Sequence, residues 1–170
     1  MDRFESCNLY AYYAARRARG RTGKAMRLTR YTDYALRVLL YLAAHPDRLC
    51  SIGEMARSYA VSQNHLMKVV NDLVSAGFLE SARGRFGGVK LARAPQDINV
   101  GAVVRHTEGC FDLVDCGSCV ISGPCGLTGA LRRATGAFIA TLDGYTLSDL
   151  IPQPASVARL FGSAKADSAA

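Results

Sequence analysis

No stretch of this 170-residue chain runs to eighteen apolar residues, so the sequence predicts no membrane-spanning helix. Nor does an apolar signal-peptide core stand near the start. That weighs against reading the six cysteines (Cys7, Cys50, Cys110, Cys116, Cys119, Cys125) as the disulfide framework of a secreted domain. Acid is scarce too, with 14 Asp and Glu against 21 Lys and Arg and a formal charge of +7. The excess is uneven. Residues 1–25 hold six basic residues to two acidic, whereas the remainder holds fifteen to twelve. The folded part is therefore only mildly basic, and any nucleic-acid surface has to come from local clustering.

What is present falls into four segments. Residues 1–25 are rich in Arg, Ala and Tyr and read as an N-terminal extension: an upstream start, or a disordered arm. From Thr32 the pattern turns helical. TDYALRVLLYLAAHP spaces Ala35, Leu36, Leu39, Leu40, Leu42 and Ala43 along one face, behind a Thr/Asp start and ahead of Pro46. Ser51 with Glu54 has the spacing of a capping box and opens a second helix. Ser62 is the expected N-cap of a third, whose stripe is Leu66, Val69, Val70, Leu73 and Val74, ended by Gly77.

Two helices joined by a tight turn, the second beginning Gln63-Asn64-His65, match a helix-turn-helix. FLESARGRFGGVKLARAP then reads as strand, Gly-rich turn and strand, with Arg83, Arg85, Lys90 and Arg93 and no acid between Ser81 and Ala94. A basic hairpin placed directly after a recognition helix predicts a wing. Ser62, Gln63, Asn64, His65 and Lys68 would face the major groove, where Gln and Asn pair with adenine and Lys with guanine or phosphate. Arg83, Arg85, Gly87 and Gly88 would carry the wing onto the minor groove, the glycines allowing close backbone approach. Residues 26–95 thus form the expected winged helix-turn-helix domain. The fold class expected is mainly α with a small β-wing and a long C-terminal dimerisation helix.

Residues 96–152 hold a short helix from Val100 to about Thr107, then CGSCVISGPC (Cys116–Cys125), then a long amphipathic helix ending LDGYTLSDLI. Leu127, Leu131, Ala134, Phe138 and Leu142 recur at steps of four, three, four and four. Such a seam suits a homodimer on paired half-sites. Residues 153–170, rich in Ala and Ser, read as a disordered tail. The C-x2-C-x5-C spacing lets one loop present three thiolates, which are soft ligands. A structural zinc site wants four ligands, usually in two pairs. Iron–sulfur ligation leads on spacing, with zinc and a thiol redox switch behind it. No βαβ pattern supports a redox enzyme.

MRLTRYTDYALRVLLYLA (Met26–Ala43), the helix-turn-helix, the RGRFGGVKLAR wing, the three-cysteine loop and the LDGYTLSDLI helix, taken together and in this order, resemble the Rrf-two family. Its members are bacterial winged-helix regulators that carry iron–sulfur clusters, and the resemblance runs from Met26 to about Ile151. It implies a cytoplasmic, dimeric transcriptional repressor on operator DNA and no enzymatic activity. Asp33 in its context, and the lack of any His after Cys125, point to the nitric-oxide-sensing members rather than those that sense iron or cluster supply. The match implies Cys116, Cys119 and Cys125 as ligands, with Asp33 supplied by the partner protomer. The cluster implied is of the 4Fe-4S rather than the 2Fe-2S type. One departure stands out: the family's first two cysteines lie further apart, so Cys110 competes for a ligand position. Otherwise Cys110 reads as a small buried residue, Cys7 and Cys50 as incidental, and His45 and His106 as surface or helix-end residues.

Overall fold

The computed structural model describes residues 27–84, 87–109, 111, 113–116 and 118–163. The expectations placed on residues 1–25, Met26, Arg85, Cys110 and 164–170 lie outside them. Helix α1 (Arg30–Ala43) begins at Thr29, whose Oγ1 accepts from Thr32 N at 3.2 Å. The start expected at Thr32 is thus one turn late: Thr32 is fully buried inside the helix, and Asp33 sits in its first turn. Ala35, Val38, Leu39 and Leu42 form the buried stripe, at the spacing that puts side chains on one helical face.

Helix α2 (Ile52–Tyr59) is capped by Ser51, which accepts from Glu54 N at 3.1 Å. It ends at Ala60 in the left-handed region, φ 52. Val61 and Ser62 then lead into α3 (Gln63–Ser75). The Ser62 hydroxyl makes no capping bond, so its position, not its side chain, marks the start. Met55 of α2 and Leu66, Val69, Val70 and Leu73 of α3 close the core against α1.

Strand β1 (Leu79–Ala82) pairs antiparallel with β2 (Gly88–Leu91), Leu79 opposite Leu91 and Ala82 opposite Gly88. The hairpin is anchored along β2 by the segment before α2. Cys50 and Val89 exchange both backbone hydrogen bonds, at 3.0 and 2.9 Å. A Cβ on Gly88 would sit 2.8 Å from Cys50 O, and one on Gly87 would collide with the Ala82 carbonyl. The close approaches at these two positions are to the protein's own backbone, at Ala82 and Cys50. Cys50, read as incidental in the sequence, is fully buried at this junction, and burial pushes its thiol up to about 12.

A 3-10 turn (Pro95–Asp97) leads to α4 (Val100–Glu108), with Asn99 capping Ala102 N at 2.9 Å. Helix α5 (Leu127–Asp143) then lies across α4. The approach is tight: a Cβ on Gly101 would stand 2.9 Å from Asp143 N. Helix α5 does not run on to Ile151. Gly144 and Tyr145 break it, and Thr146 and Asp149 form a capping box that starts α6 (Leu147–Leu150). The tail departs from expectation as well. Residues Pro154–Ser163 form α7, and Val157, Ala158 and Phe161 pack on the core. The Phe161 ring lies 4.7 Å from Tyr41 and 5.3 Å from Tyr59, apolar contact enough to order a helix whose composition alone reads as disordered. Among the described residues no helix is long and apolar enough to cross a membrane.

Candidate nucleic-acid interface and cysteine loop

The polar start of α3 is set by which side of the helix the core takes. Leu66, Val69 and Val70 are buried, while Ser62, Gln63, Asn64, His65, Met67 and Lys68 are exposed. The five residues expected at the major groove therefore share the uncovered side of the recognition helix. On the wing, Arg83 is exposed, and Arg85 lies outside the described residues. The other two cations are committed elsewhere. Lys90 Nζ meets Glu80 across the strands at 3.3 Å. Arg93 donates to Gly77 O at 3.1 Å and covers the Phe78 ring at 5.4 Å. Counting charge along the chain missed both, because Glu80 precedes the window and Arg93 folds back. Among the described residues, the uncommitted positive charge of the wing thus rests on Arg83.

Asp33 stands in the first turn of α1, with its side chain 45% exposed. Arg37 Nε donates to its Oδ1 at 2.8 Å, and that hydrogen bond raises the Arg37 pKa. Arg37 also faces the Tyr59 ring at 5.6 Å, and the Tyr59 hydroxyl donates to Arg37 O at 3.0 Å. An i,i+4 pair this open is worth about 0.3–0.5 kcal/mol, so a stronger partner can take the carboxylate at little cost.

The three predicted cysteines lie on the turn-rich segment between α4 and α5. Cys119 N donates to Cys116 O at 3.3 Å, Ser122 N to Cys119 O at 3.1 Å, and Cys125 N to Ile121 O at 3.1 Å. All three are free thiols; Cys119 is exposed and the other two half-buried. Cys116 Sγ is hydrogen-bonded to Thr128 Oγ1, in the first turn of α5, at 3.0 Å. Among the described residues the structure does not draw three Cys, His, Asp or Glu side chains into one metal-holding group. The donor set nonetheless has the chemistry an iron–sulfur cluster requires: unpaired soft thiols, within reach of solvent, on one loop. Beside the loop a cleft of about 340 Å³ is lined by Leu113, Val114, Leu131 and Ile139, with Arg105 and Arg132 at its edge. Its apolar lining continues onto α5, where no residue is buried. Leu127 is 52% and Phe138 40% exposed.

A helix-turn-helix, an anchored antiparallel wing and a recognition helix with an uncovered polar start define a winged-helix DNA-binding regulator. The profile of the Rrf2 family, described as "Iron-dependent Transcriptional regulator", matches residues 28–153. The chain belongs to the Rrf2 family of transcriptional regulators. It is 48% identical to the HTH-type transcriptional regulator NsrR of Bacillus subtilis (strain 168), over 79% of this chain and 97% of that protein. It is 44% identical to the protein of the same name in Geobacillus kaustophilus (strain HTA426), over 79% and 96%. Among solved structures, CymR, the global cysteine regulator of B. subtilis, superposes with a TM-score of 0.63 at 27% identity, covering 74% of this chain and 96% of that one. T. potens IscR shares the fold, with a TM-score of 0.64 at 24% identity, over 78% and 91%.

Proposed function

We propose that the chain is a cytoplasmic, homodimeric transcriptional repressor whose iron–sulfur cluster senses nitric oxide, damage to the cluster releasing operator DNA. The observation that carries this reading is the position of the cysteine loop. It joins α4, which packs on the DNA-binding core, to α5, whose apolar seam is uncovered in one chain. Cys116, Cys119 and Cys125 would hold the cluster, a 4Fe-4S centre in this reading, and Asp33 from the partner protomer would supply the fourth ligand. A bound cluster supplies iron that reacts with nitric oxide, most readily where the ligand is an oxygen rather than a thiolate. The chain's own part is mechanical. Asp33 would leave Arg37 to hold the partner's cluster, which would tie α1 of one protomer to the loop of the other. With Asp33 released, the Arg37 pair would re-form and the two DNA-binding units would be free to shift, so that both would no longer meet half-sites about 34 Å apart. Ser62, Gln63, Asn64, His65 and Lys68 read the major groove, and Arg83 and Arg85 hold the wing to DNA. The chain then acts as a regulator and not as an enzyme.

Two variants of this reading rest on specific observations. The hydrogen bond that occupies Cys116 on Thr128 favours Cys110 as the third thiolate in its place. The family description "Iron-dependent" favours iron or cluster supply as the signal. One experiment decides among them. Protein purified without oxygen should be brown, with thiolate-to-iron absorption, and nitric oxide at low stoichiometry should abolish binding to a duplex selected from a random pool. Colourless, zinc-bearing protein would sink the cluster. Loss of binding on iron chelation but not on nitric oxide would transfer the signal to iron. In the same assay Cys110→Ala and Cys116→Ala should differ, and whichever keeps its colour is not a ligand. Asp33→Ala with an unchanged spectrum and response would remove Asp33 from the site.

A further inference from the structure

We infer that His106 is a positioning residue that couples the cysteine loop to the recognition helix, and the inference rests on the proposed cluster-dependent DNA binding. His106 lies in the last turn of α4, at the end that enters the loop. Its Nε2 donates to Asp72 Oδ2 at 2.9 Å, near the C-terminal end of α3. Its ring also lies 6.0 Å from that of Phe78, in the turn that leaves α3 for the wing. Burial, and next the nearby Asp72 carboxylate, raise the phenol of Tyr31, in the first turn of α1, to about 12. Two residues after His106, Glu108 Oε1 accepts from Thr29 N, the cap of α1, at 2.7 Å. One turn of α4 therefore holds both the recognition helix and the helix that carries Asp33.

The other side of α4 is fixed to the long helix. Arg105 reaches both oxygens of Asp143, at 2.9 and 2.7 Å, and Asn99 Nδ2 donates to Asp143 O at 2.7 Å. The loop thus begins and ends on elements clamped to each other, and a change in its shape is delivered to the end of α4. The bonds there are polar and about one-third exposed (35% for His106, 36% for Asp72). They can break while Val103 and Val104 stay buried beneath them. An element with a fixed core and an exchangeable polar end has two arrangements that both sites can bias, which is the physical requirement for coupling.

The test is the ratio of duplex affinities, cluster-loaded over cluster-free, for the full-length chain on the selected DNA. In wild type the ratio exceeds one. In His106→Ala and in Asp72→Ala it should fall by roughly two- to thirty-fold, with iron content and absorption unchanged. Affinities that drop equally in both forms, or do not change, would leave His106 a purely structural contact and overturn the inference while the cluster reading stands. A wild-type ratio of one, or no DNA selected, would overturn both. Should the alanine variants fail to fold or load iron, His106→Gln and Asp72→Asn take their place, and their ratios are read by the same rule.

Discussion

The two halves of this chain bury their apolar stripes very differently. From Arg30 to Leu91, helix after helix is sealed by its neighbours: α1 buries Ala35, Val38, Leu39 and Leu42, and α3 buries Leu66, Val69, Val70 and Leu73. From Leu113 to Asp143 the chain is no less apolar, yet Val120 is fully exposed, Ile121 is 59% exposed, and α5, the longest helix described, buries nothing. Periodicity says that a helix has a partner; it does not say in which chain. The first half is sealed into one core, to which Ile98, Val103, Leu147 and Ile151 from further along the chain also contribute. In the function proposed above, the second would be completed from outside, by a protomer along α5 and a cluster at the loop. For the proposed sensor this division would keep the part that changes with the signal apart from most of the core that orders the DNA-binding surface.

The sharpest way to break the comparison is to make like changes on the two sides. Leu39→Ala leaves a cavity in the core and should cost about 2–5 kcal/mol in chemical denaturation of cluster-free protein. Cys119→Ala, at an exposed loop position, should change that stability by less than about 0.5 kcal/mol while removing the thiolate-to-iron absorption. If Cys119→Ala destabilised the cluster-free core as Leu39→Ala does, the loop would belong to the first half. Leu131→Ala tests the seam. Half-buried in one chain, it should scarcely alter unfolding of the monomer. It should weaken the dimer about tenfold or more in sedimentation equilibrium, as loss of about 1.4 kcal/mol or more of interface contact implies. A dimer constant unchanged by Leu131→Ala would place the interface elsewhere.

The same division explains what could be read from the sequence. The helix-turn-helix and wing were legible because their 3.6- and 2-residue patterns are satisfied by the fold itself. Errors fell where two starts or stops compete. Thr29 and Thr32 both offer an N-cap, and only the burial of Thr32 decides for Thr29. Gly144 with the Thr146–Asp149 box signalled a break before Ile151, but the continuing apolar run concealed it. In α7 the Ala and Ser content masked Val157 and Phe161, whose i,i+4 spacing was the available sign. At the cysteines, spacing could show that thiols share a loop and not which of them act together. Cys116 on Thr128, like Asp72 beneath His106, is a tertiary contact that no local pattern carries.

The smallest effect is expected inside the well-sealed half, at the turn of the helix-turn-helix. Ala60 holds φ 52 and ψ 44, a left-handed conformation that costs an L-residue about 1–2 kcal/mol and glycine almost nothing. Its backbone N–H bonds Arg57 O at 3.2 Å and that of Val61 bonds Ala56 O at 3.0 Å, so the turn is held by main-chain bonds that a glycine keeps. Glycine gives back part of the gain through its larger unfolded-state entropy. Ala60→Gly should therefore raise stability by about 0.5–1 kcal/mol, seen as a higher denaturation midpoint at unchanged slope. Duplex affinity should hold as well, because α2 and α3 remain packed through Met55, Leu66 and Val70. A stable variant with weakened DNA binding would mean that the strain at Ala60 helps to aim Gln63 and Asn64, and the first half would then owe its angle, if not its fold, to function.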